Sequence, residues 1–502
     1  MAAKRRPVSL SSIRGFHMNA RTLPTLNSAT LAGALLLAGA CGRESVTTPR
    51  EGATSPALYG RTSTALSVTS ASPPFGDRGT TVDVHVFGTG FTSDAKATWL
   101  LHGVADSLHV RTNRTTFVSS TEVVANVTIA GDATLAFWDV QVALAGGKNG
   151  VGSELFEVTS AQILGSGTPG GDVYMHAAND LGQAVGYTSG TTHLAFLYDE
   201  SLGIVSLGDG QGWGIDPNGT LAVGRDGNNL ATAWVRQPDN TWRPEPLPTL
   251  SNSVESNAAS AARAVDGTLI VGGWDGAAPP RKSMPGIDRP VLWRRSGTSW
   301  LMPQALAIPS TSTNGSVYGV NGRGQAVGLL DAGASGGIVW DDASTFTLLN
   351  GTPNYINAAG TIIVGIAAGN AGPVYWWRDP LTQVWHAPVL LPSLGGVGCP
   401  RGNARAINGA GIIVGDSCDG NNGQATAWQL DFSGSAPVLV GGPWRLPGLG
   451  VKNTQTVDAK TGLRVASAAY VTESVPYRAT GGALSGSGQT RLAVRWQLNV
   501  DP

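Results

Sequence analysis

The sequence predicts an all-β protein whose body falls into two parts. Three observations support this prediction: 69 glycines among 502 residues, a charged fraction of only 13%, and the near absence of long apolar patterns with a helical period. Glycine-rich, weakly charged chains of this kind favour short strands joined by tight turns. The first part is a segment of alternating strands, and the second part is built from internal repeats.

Residues 1–40 have the layout of an export signal. They carry five Lys and Arg side chains and no Asp or Glu, and their apolar run, Leu31–Ala40, ends at Cys41. This run is too short to span a bilayer as a helix, so we expect a signal that is cleaved. A start at Met18 would leave a signal of conventional length.

The stretch LLLAGAC, Leu35–Cys41, resembles the lipobox of bacterial lipoproteins, although Ala38 replaces the more usual leucine. The resemblance implies cleavage before Cys41 and lipidation of its thiol, which would anchor the protein in a membrane. The predicted location is the outer membrane or the cell surface. An ordinary secretory signal with another cleavage site is the alternative.

The exported part of the chain has little net charge. Beyond residue 40 it holds 28 basic and 34 acidic side chains, a balance that provides no basic surface for nucleic acid. Residues 41–66 are rich in Ser, Thr, Pro and Gly and predict a flexible tether. The rest is too long for one ordinary core, and we expect two domains, 67–159 and 160–502.

Residues 67–159 alternate apolar and polar side chains between turn clusters, the pattern of half-buried strands. Examples are TVDVHVFG from Thr81 and FWDVQVAL from Phe137. The segment resembles an IPT/TIG domain, from VTSASPPFGDRGTTVDVHVFGTGF at its start to FWDVQVALAGGKNGVGSELFEV at its end. The resemblance implies an immunoglobulin-like β-sandwich that serves as a spacer or protein-contact module.

From residue 160 onward one pattern recurs: an Asn or Asp, a glycine turn, a strand ending in Val-Gly, and then a strand that ends in an aromatic residue. The copies begin AANDLGQAVG, GIDPNGTLAVG, AVDGTLIVG, GVNGRGQAVG, YINAAGTIIVG, AINGAGIIVG and, in degenerate form, TVDAKTGLRVAS. Their length leaves room for four strands each, which is typical of β-propeller blades. The sequence therefore predicts a β-propeller-like domain of about seven four-stranded repeats.

This repeat resembles the HAF repeats of extracellular proteins, which implies a fold but little chemistry. The last copy lacks a fourth strand, and the segment AQILGSG, Ala161–Gly167, has the sequence of the missing one. We expect this segment to complete the last blade, so that the two ends of the domain meet and no strand edge is left open.

Two residue types recur in the repeats. The Asn and Asp residues are interpreted as turn formers, because these side chains bond their own backbone, and a ring of metal ligands is the alternative. They are Asn179, Asp216, Asp266, Asn321, Asn357, Asn408 and Asp458. The aromatic residues are interpreted as packing between blades, and an aromatic sugar platform is the alternative. They are Tyr198, Trp234, Trp293, Trp340, Trp376, Trp428 and Trp496.

The sequence contains no recognisable catalytic or metal-binding set, and it implies no cofactor. The string GASGG, Gly333–Gly337, matches a nucleophile elbow, but a strand follows it where that motif needs a helix. Cys399 and Cys418 flank the sixth Asn, and in an oxidising compartment we expect them to form a disulfide.

The loops differ most in length after Gly272. The insertion there predicts a contact surface for a protein or glycan partner, and a merely tolerated insertion is the alternative. The candidate contact residues are Trp274, Arg281, Lys282 and Arg289.

Two function classes stay open. The first is a non-catalytic surface lipoprotein that acts as a binding or scaffold module for protein or glycan. The alternative is a β-propeller polysaccharide hydrolase or lyase, since catalytic residues dispersed over several blades leave no linear motif.

Overall fold

The structure is a computed structural model that describes residues 65–165, 171–277, 287–331, 336–395, 401–419, 422–449, 466–471, 478–484 and 491–498. They belong to one compact unit, Thr62–Pro502. The regular structure in these ranges is β-strand, apart from the 3₁₀ turn Ala368–Asn370, which confirms the all-β prediction. Within them, no helix has the length and apolar character that a membrane crossing would need.

The first nine strands form two sheets that pack face to face. They are β1 (Ser67–Ser72), β2 (Phe75–Asp77), β3 (Thr81–Thr89), β4 (Lys96–Leu101), β5 (Val104–Ala105), β6 (Val110–Ser119), β7 (Glu122–Ile129), β8 (Phe137–Ala143) and β9 (Asn149–Thr159). The sheet orders are β1-β3-β7-β6 and β2-β9-β8-β4-β5. Every second residue of β7 and β8 is buried, and the core contains Trp99, Trp138 and Phe156. This is the predicted immunoglobulin-like sandwich.

Seven blades of four or more strands follow in the described part of the chain. The strand β10 (Ala161–Gly165) precedes them. Blades 1 and 2 share one long strand and contain β11 (Val173–Ala178), β12 (Ala184–Thr188), β13 (Leu194–Asp199), β14 (Gly203–Ile215), β15 (Leu221–Asp226), β16 (Ala231–Arg236) and β17 (Trp242–Pro246). Blade 3 contains β18 (Ser253–Arg263), β19 (Leu269–Ala277), β20 (Ile287–Ser296), β21 (Ser299–Trp300) and β22 (Gln304–Ala305).

The later blades are more regular. Blade 4 contains β23 (Gly315–Val320), β24 (Ala326–Leu330), β25 (Gly337–Trp340) and β26 (Phe346–Leu349), and blade 5 contains β27 (Gly351–Ile356), β28 (Ile362–Ala367), β29 (Pro373–Trp377) and β30 (Val389–Leu390). Blade 6 contains β31 (Gly402–Ile407), β32 (Ile412–Asp419), β33 (Asn422–Asp431) and β34 (Val438–Arg445), and blade 7 contains β35 (Ala466–Val471), β36 (Arg478–Leu484) and β37 (Arg491–Gln497).

The blades close into a ring. The first strand of each blade contacts the first strand of the next, and β35 of blade 7 contacts β11 of blade 1, so the first strands surround the ring axis. The early strand β10 pairs antiparallel with β37, with Ala161 opposite Trp496. This pairing confirms the expected closure, in which a strand from the start of the domain completes the last blade.

Tryptophans on the third strands join neighbouring blades. Trp234, Trp293, Trp340, Trp376, Trp428 and Trp496 are all at most 2% exposed, which confirms their packing role. Five of the indole N–H groups also donate to a backbone oxygen at the end of the preceding blade, at distances between 2.6 and 2.8 Å. Each of these rings therefore fills space and bonds two blades together.

The recurring Asn residues form the expected turns. Asn179 Oδ1 accepts the backbone N–H groups of Leu181 and Gln183, both at 3.1 Å, and its Nδ2 donates to the backbone oxygen of Asp216 in the next blade at 3.2 Å. Asn321 repeats this pattern. The turn interpretation is confirmed here, and the same amides also connect neighbouring blades.

Blade 3 departs from the pattern. Its first hairpin is longer, because it gains the pairs Ala262↔Ile270 and Arg263↔Leu269, and Asp266 lies on the exposed turn beyond them. Arg263 instead reaches back to the buried Asp216 of blade 2, with Nη2 2.8 Å from Oδ2. Asp458, the seventh residue of the predicted set, lies outside the described residues, but the first hairpin of blade 7 pairs β35 with β36, so the prediction that placed this copy's turn at Asp458, before β35, was wrong.

The sandwich is fixed to the ring through a buried carboxylate. Glu157 of β9 is fully buried, and its Oε1 accepts the Arg445 guanidinium at 3.1 Å and the Gly448 backbone N–H at 2.9 Å. Thr159 Oγ1 donates to the Gly448 oxygen at 3.1 Å. These contacts join the end of the sandwich to blade 6.

The contribution of the indole hydrogen bonds to stability can be measured by comparing variants of two tryptophans. Trp293 donates to the Pro248 oxygen at 2.7 Å, whereas the Trp376 nitrogen is buried without a partner, and both rings are equally buried. We expect Trp293→Phe to lower the free energy of unfolding by about 1 kcal/mol more than Trp376→Phe, because only the first change leaves a backbone oxygen unsatisfied. Equal losses in urea unfolding would show that the indole bonds contribute nothing.

Candidate functional site

The first strand of every blade contains a β-bulge at the same position. Its pairing with the second strand skips one residue in each of the seven described blades. The skipped residues are His176, Trp213, Ala259, Tyr318, Asn354, Arg405 and Ala469. A bulge turns one side chain out of the regular alternation, and here all seven line a single cavity on the ring axis.

A glycine of the second strand stands opposite each bulge, and in blades 1, 2, 4, 5 and 6 it is the Val-Gly glycine of the repeat, whereas in blade 3 it is Gly273, one residue later. The residue that precedes the bulge pairs with this glycine, as Met175 pairs with Gly186 and Val317 pairs with Gly328. A Cβ added at Gly328 would overlap the backbone oxygen of Ser316, and the equivalent glycines of blades 1, 2, 3, 5 and 6 show the same overlap. The glycine is therefore required because the bulged strand lies too close for any side chain.

The cavity has a volume of about 590 Å³, which is typical of small-molecule sites. Its mouth is formed by the turns between the first and second strands, including Asp180, Val265 and Arg323. Tyr355 and Tyr470, each next to a bulge residue, add two further aromatic rings to the wall. Aromatic faces, amides and arginines therefore surround the ring axis.

Two ring nitrogens in the cavity wall lack a hydrogen-bond partner. His176 Nε2 and Trp213 Nε1 are buried and unpaired in the structure, and the two ring centroids are 4.0 Å apart. Burial, with a smaller contribution from the Arg405 charge, lowers the pKa of His176 to about 3, so its imidazole is neutral near pH 7. A buried polar atom without a partner costs about 1–3 kcal/mol, and a ligand that supplies the partner would recover this energy.

Arg405 lies in the same wall and is held by a carboxylate behind it. Its Nε is 3.2 Å from Oδ1 of Asp416, which is 3% exposed. No other hydrogen-bond partner of this guanidinium lies among the described residues. Asn354 is also fixed, because its Nδ2 donates to the Ala404 oxygen at 2.9 Å. The polar groups of the wall are therefore held in place before any ligand binds.

Acidic groups are scarce in this site. Among the described residues that line the cavity, Asp180 is the one carboxylate, and it lies on an exposed turn at the mouth. The described part of the chain also contains no cluster of three His, Cys, Asp or Glu side chains that could hold a metal ion. The described wall thus offers hydrogen-bond donors and aromatic faces rather than paired carboxylates.

The structure places two of the predicted contact residues, Trp274 and Arg289, away from the cavity. Trp274 is half-buried and pairs with Asn257 in the half of blade 3 that points away from the mouth. Arg289 forms an ion pair with the fully buried Asp275 and donates to the Ser251 oxygen at 3.3 Å. Arg289 thus has a structural partner, and its binding role stays a prediction. Arg281 and Lys282 lie outside the described residues.

Cys418 lies on β32, is 6% exposed and is disulfide-bonded. Its expected partner Cys399 and the expected lipidation site Cys41 both lie outside the described residues. The pairing of Cys399 with Cys418 therefore stays a prediction.

Sequence reasoning missed most of the cavity residues, although a signal for them exists. In five repeats the bulge residue stands three positions before the recurring Asn or Asp, as His176 does before Asn179 and Arg405 before Asn408. At this position the copies differ widely in chemistry, while their neighbours repeat. A variable position at a fixed place in a regular repeat would have identified the lining of the ring axis.

No family model and no curated protein matches the sequence. Several solved structures match this chain, with low identities and low TM-scores. An auxiliary nutrient binding protein from Bacteroides ovatus is 12% identical with a TM-score of 0.30, and the match covers 86% of this chain and 97% of that one.

Two further structures are similar at the same level. Puromycin hydrolase is 14% identical with a TM-score of 0.39, covering 69% of this chain and 58% of that one. The β-propeller domain of the Trilobed protease from Pyrococcus furiosus is 10% identical with a TM-score of 0.36, covering 65% and 93%. Similarities at such low scores carry no argument about function.

The link between glycine and bulge can be tested with one pair of variants. Gly328→Ala should lower the free energy of unfolding by more than about 2 kcal/mol, because the new methyl group would force the bulged strand away. The control is Gly146→Ala, at an exposed turn where an added Cβ has no neighbour within 4 Å, and its effect should stay within about 0.5 kcal/mol. Similar urea midpoints for the two variants would contradict the steric explanation.

Proposed function

We propose that this protein is a non-catalytic binding module that takes up a glycan segment in the cavity on its ring axis. One observation carries the proposal: seven bulges turn chemically different side chains of a regular repeat into one cavity. The recurring residues of the ring serve turns and packing. Different side chains at one fixed position of the repeat, all facing one concave site, favour a role in binding a ligand.

The chemistry of the wall favours a carbohydrate. Trp213, Tyr318, Tyr355 and Tyr470 offer aromatic faces, on which the apolar faces of sugar rings can stack. Asn354 and Arg405 supply polar groups that are already fixed by bonds to the protein. Preorganised polar groups among aromatic faces reduce the ordering that a polar ligand would otherwise require.

A polysaccharide lyase is the second candidate, and His176 is the observation that favours it. A neutral imidazole with a buried, unpaired Nε2 can accept a proton, and Arg405 beside it could stabilise developing negative charge. A hydrolase is supported less, because the usual mechanism requires two carboxylates around the scissile bond and the described wall offers one.

Binding can be tested with the full chain on a glycan array, followed by calorimetry of the glycans that bind. Trp213→Ala should weaken binding about tenfold or more, because it removes a stacking face and an N–H donor together. The control is Trp377→Ala, which removes a ring that stacks on His386 outside the cavity. Absence of binding would contradict the proposal, and turnover that is lost in His176→Gln would establish the lyase instead.

We also propose that the protein is exported and held at the outer membrane or cell surface by a lipid on Cys41, with the sandwich as a spacer. The basic and apolar run that ends in LLLAGAC supports this proposal. Cys41→Ser should move the protein from the membrane fraction to the soluble fraction, and Cys399→Ser serves as the matched control. If the Cys41→Ser variant stays with the membrane, the anchor lies elsewhere.

A further inference from the structure

We infer that the cavity recognises a carboxylate-bearing sugar, such as a uronic acid residue of an acidic glycan, and binds its carboxylate at the wall formed by Arg405, His176 and Trp213. This inference rests on the proposed function, since it names the class of glycan that the same site would bind. Three observations support it. These three bulge residues lie close together, there is space between them, and they have more hydrogen-bond donors than acceptors.

The ring order makes the three residues neighbours. Arg405, Ala469, His176 and Trp213 belong to blades 6, 7, 1 and 2, which follow one another around the axis. Ala469 contributes only a methyl group at its bulge, so it leaves space between Arg405 and His176. The imidazole of His176 contacts the indole of Trp213 and is influenced by the Arg405 charge. The wall therefore has a recess with nitrogen-bearing side chains on both sides.

Donors exceed acceptors at this recess. The Trp213 N–H can only donate, and it has no partner in the structure. Arg405 can also only donate, and Asp416 accepts from its Nε at 3.2 Å. His176 Nε2 can donate or accept, according to its tautomer. A carboxylate matches such a set, because it presents two oxygens that accept several bonds, and bonds to a charged group are stronger than neutral ones.

The charged residues at the mouth of the cavity also favour an acidic ligand. Arg323 lies exposed on the turn of blade 4 and has no ion-pair partner among the described residues. Arg263 is different, because Asp216 accepts its guanidinium, and Asp180 contributes an opposing charge. An acidic chain that enters the cavity would thus meet one exposed cation at the rim and a second at the wall.

An acidic peptide could supply the same carboxylate, but the site favours a sugar. Aromatic rings at Trp213, Tyr318, Tyr355 and Tyr470 stand around a cavity of about 590 Å³, which is concave and closed by the ring rather than extended along a strand edge. Peptides are usually recognised by addition to an open strand edge or by an apolar groove. A cavity that is bounded on its sides by the ring and has aromatic walls suits short glycan segments better.

Calorimetry on the full chain with four probes tests the inference. The probes are an oligogalacturonide, its methyl ester, a neutral galactan oligomer of equal length and a polyglutamate peptide. We expect the oligogalacturonide to bind about tenfold or more tightly than its methyl ester, because esterification removes the charge and keeps the ring. Tighter binding of the peptide than of the oligogalacturonide would overturn the inference.

Trp213→Phe is the first variant, because it keeps an aromatic face and removes an N–H group that has no partner in the protein. It should weaken oligogalacturonide binding at least about threefold more than it weakens binding of the neutral oligomer, because a bond to the charged carboxylate is stronger than a bond to a hydroxyl group. The second variant combines Arg405→Gln with Asp416→Asn, so that no buried carboxylate loses its cation. It should remove the preference for the acid over the ester.

The control variant is Arg225→Gln, which changes an arginine that bonds Gln211 and does not line the cavity. It should leave all affinities unchanged. If the neutral oligomer and the acid bind equally and Trp213→Ala abolishes both, the proposed function stands and the carboxylate inference is overturned. If no probe and no array glycan binds, both are overturned.

Discussion

The ring depends on a close approach of two backbones, which is present in six of the seven described blades. At a glycine of the second strand, the oxygen of the first strand occupies the space that a Cβ would need, as the Ser316 oxygen does at Gly328. This approach accompanies the bulge, and the bulge turns one residue per blade toward the axis. A glycine that marks the repeat in the sequence therefore also determines where the cavity side chains stand. The fold and the site follow from one steric constraint.

That constraint separates the residues that hold the ring from the residues that vary. Trp293 and its equivalents carry the bonds between blades on the outer side, and Asn179 and Asn321 carry them at the turns. The bulge positions take no part in the indole bonds, and one of them, Asn354, also bonds the next blade through the Ala404 oxygen at 2.9 Å. Since the ring closes through β10 and β37 as well, the structure can tolerate chemically different side chains at the axis without losing its shape. His176 and Trp213 are examples, because each has a buried nitrogen without a hydrogen-bond partner.

The sequence predicted the sandwich, the blades, the closing strand and the turn role of the Asn residues, because each depends on local patterns of two to ten residues. It did not predict the cavity, because a bulge is a property of pairing between strands, and its marks in the sequence, the glycine opposite and the variable position before the Asn or Asp, are recognised only when the copies are compared. Asp266 keeps its predicted turn role, since its Oδ1 accepts the Thr268 N–H at 2.9 Å, but its displaced position in blade 3 was not predicted for a related reason. Two additional residue pairs in blade 3 displace the turn, and Arg263 takes over the contact with Asp216. Arg289 could not be distinguished from an exposed cation without its partner Asp275, which is distant in sequence but adjacent in the sheet.

The junction between the two domains coincides with the point at which the ring closes. β9 of the sandwich ends at Thr159 and β10 of the last blade begins at Ala161, so one residue separates them. Thr159 Oγ1 accepts the Ala161 N–H at 2.9 Å and donates to Gly448, while Glu157 binds Arg445. The ion pair of Glu157 with Arg445 therefore fixes the sandwich and the closing strand at the same time. Separating the two residues would leave a charged group without its partner, which is costly at a buried site. The sandwich thus contacts the end of blade 6 and continues directly into the closing strand of blade 7, the two blades that carry Arg405 and Ala469 of the cavity wall.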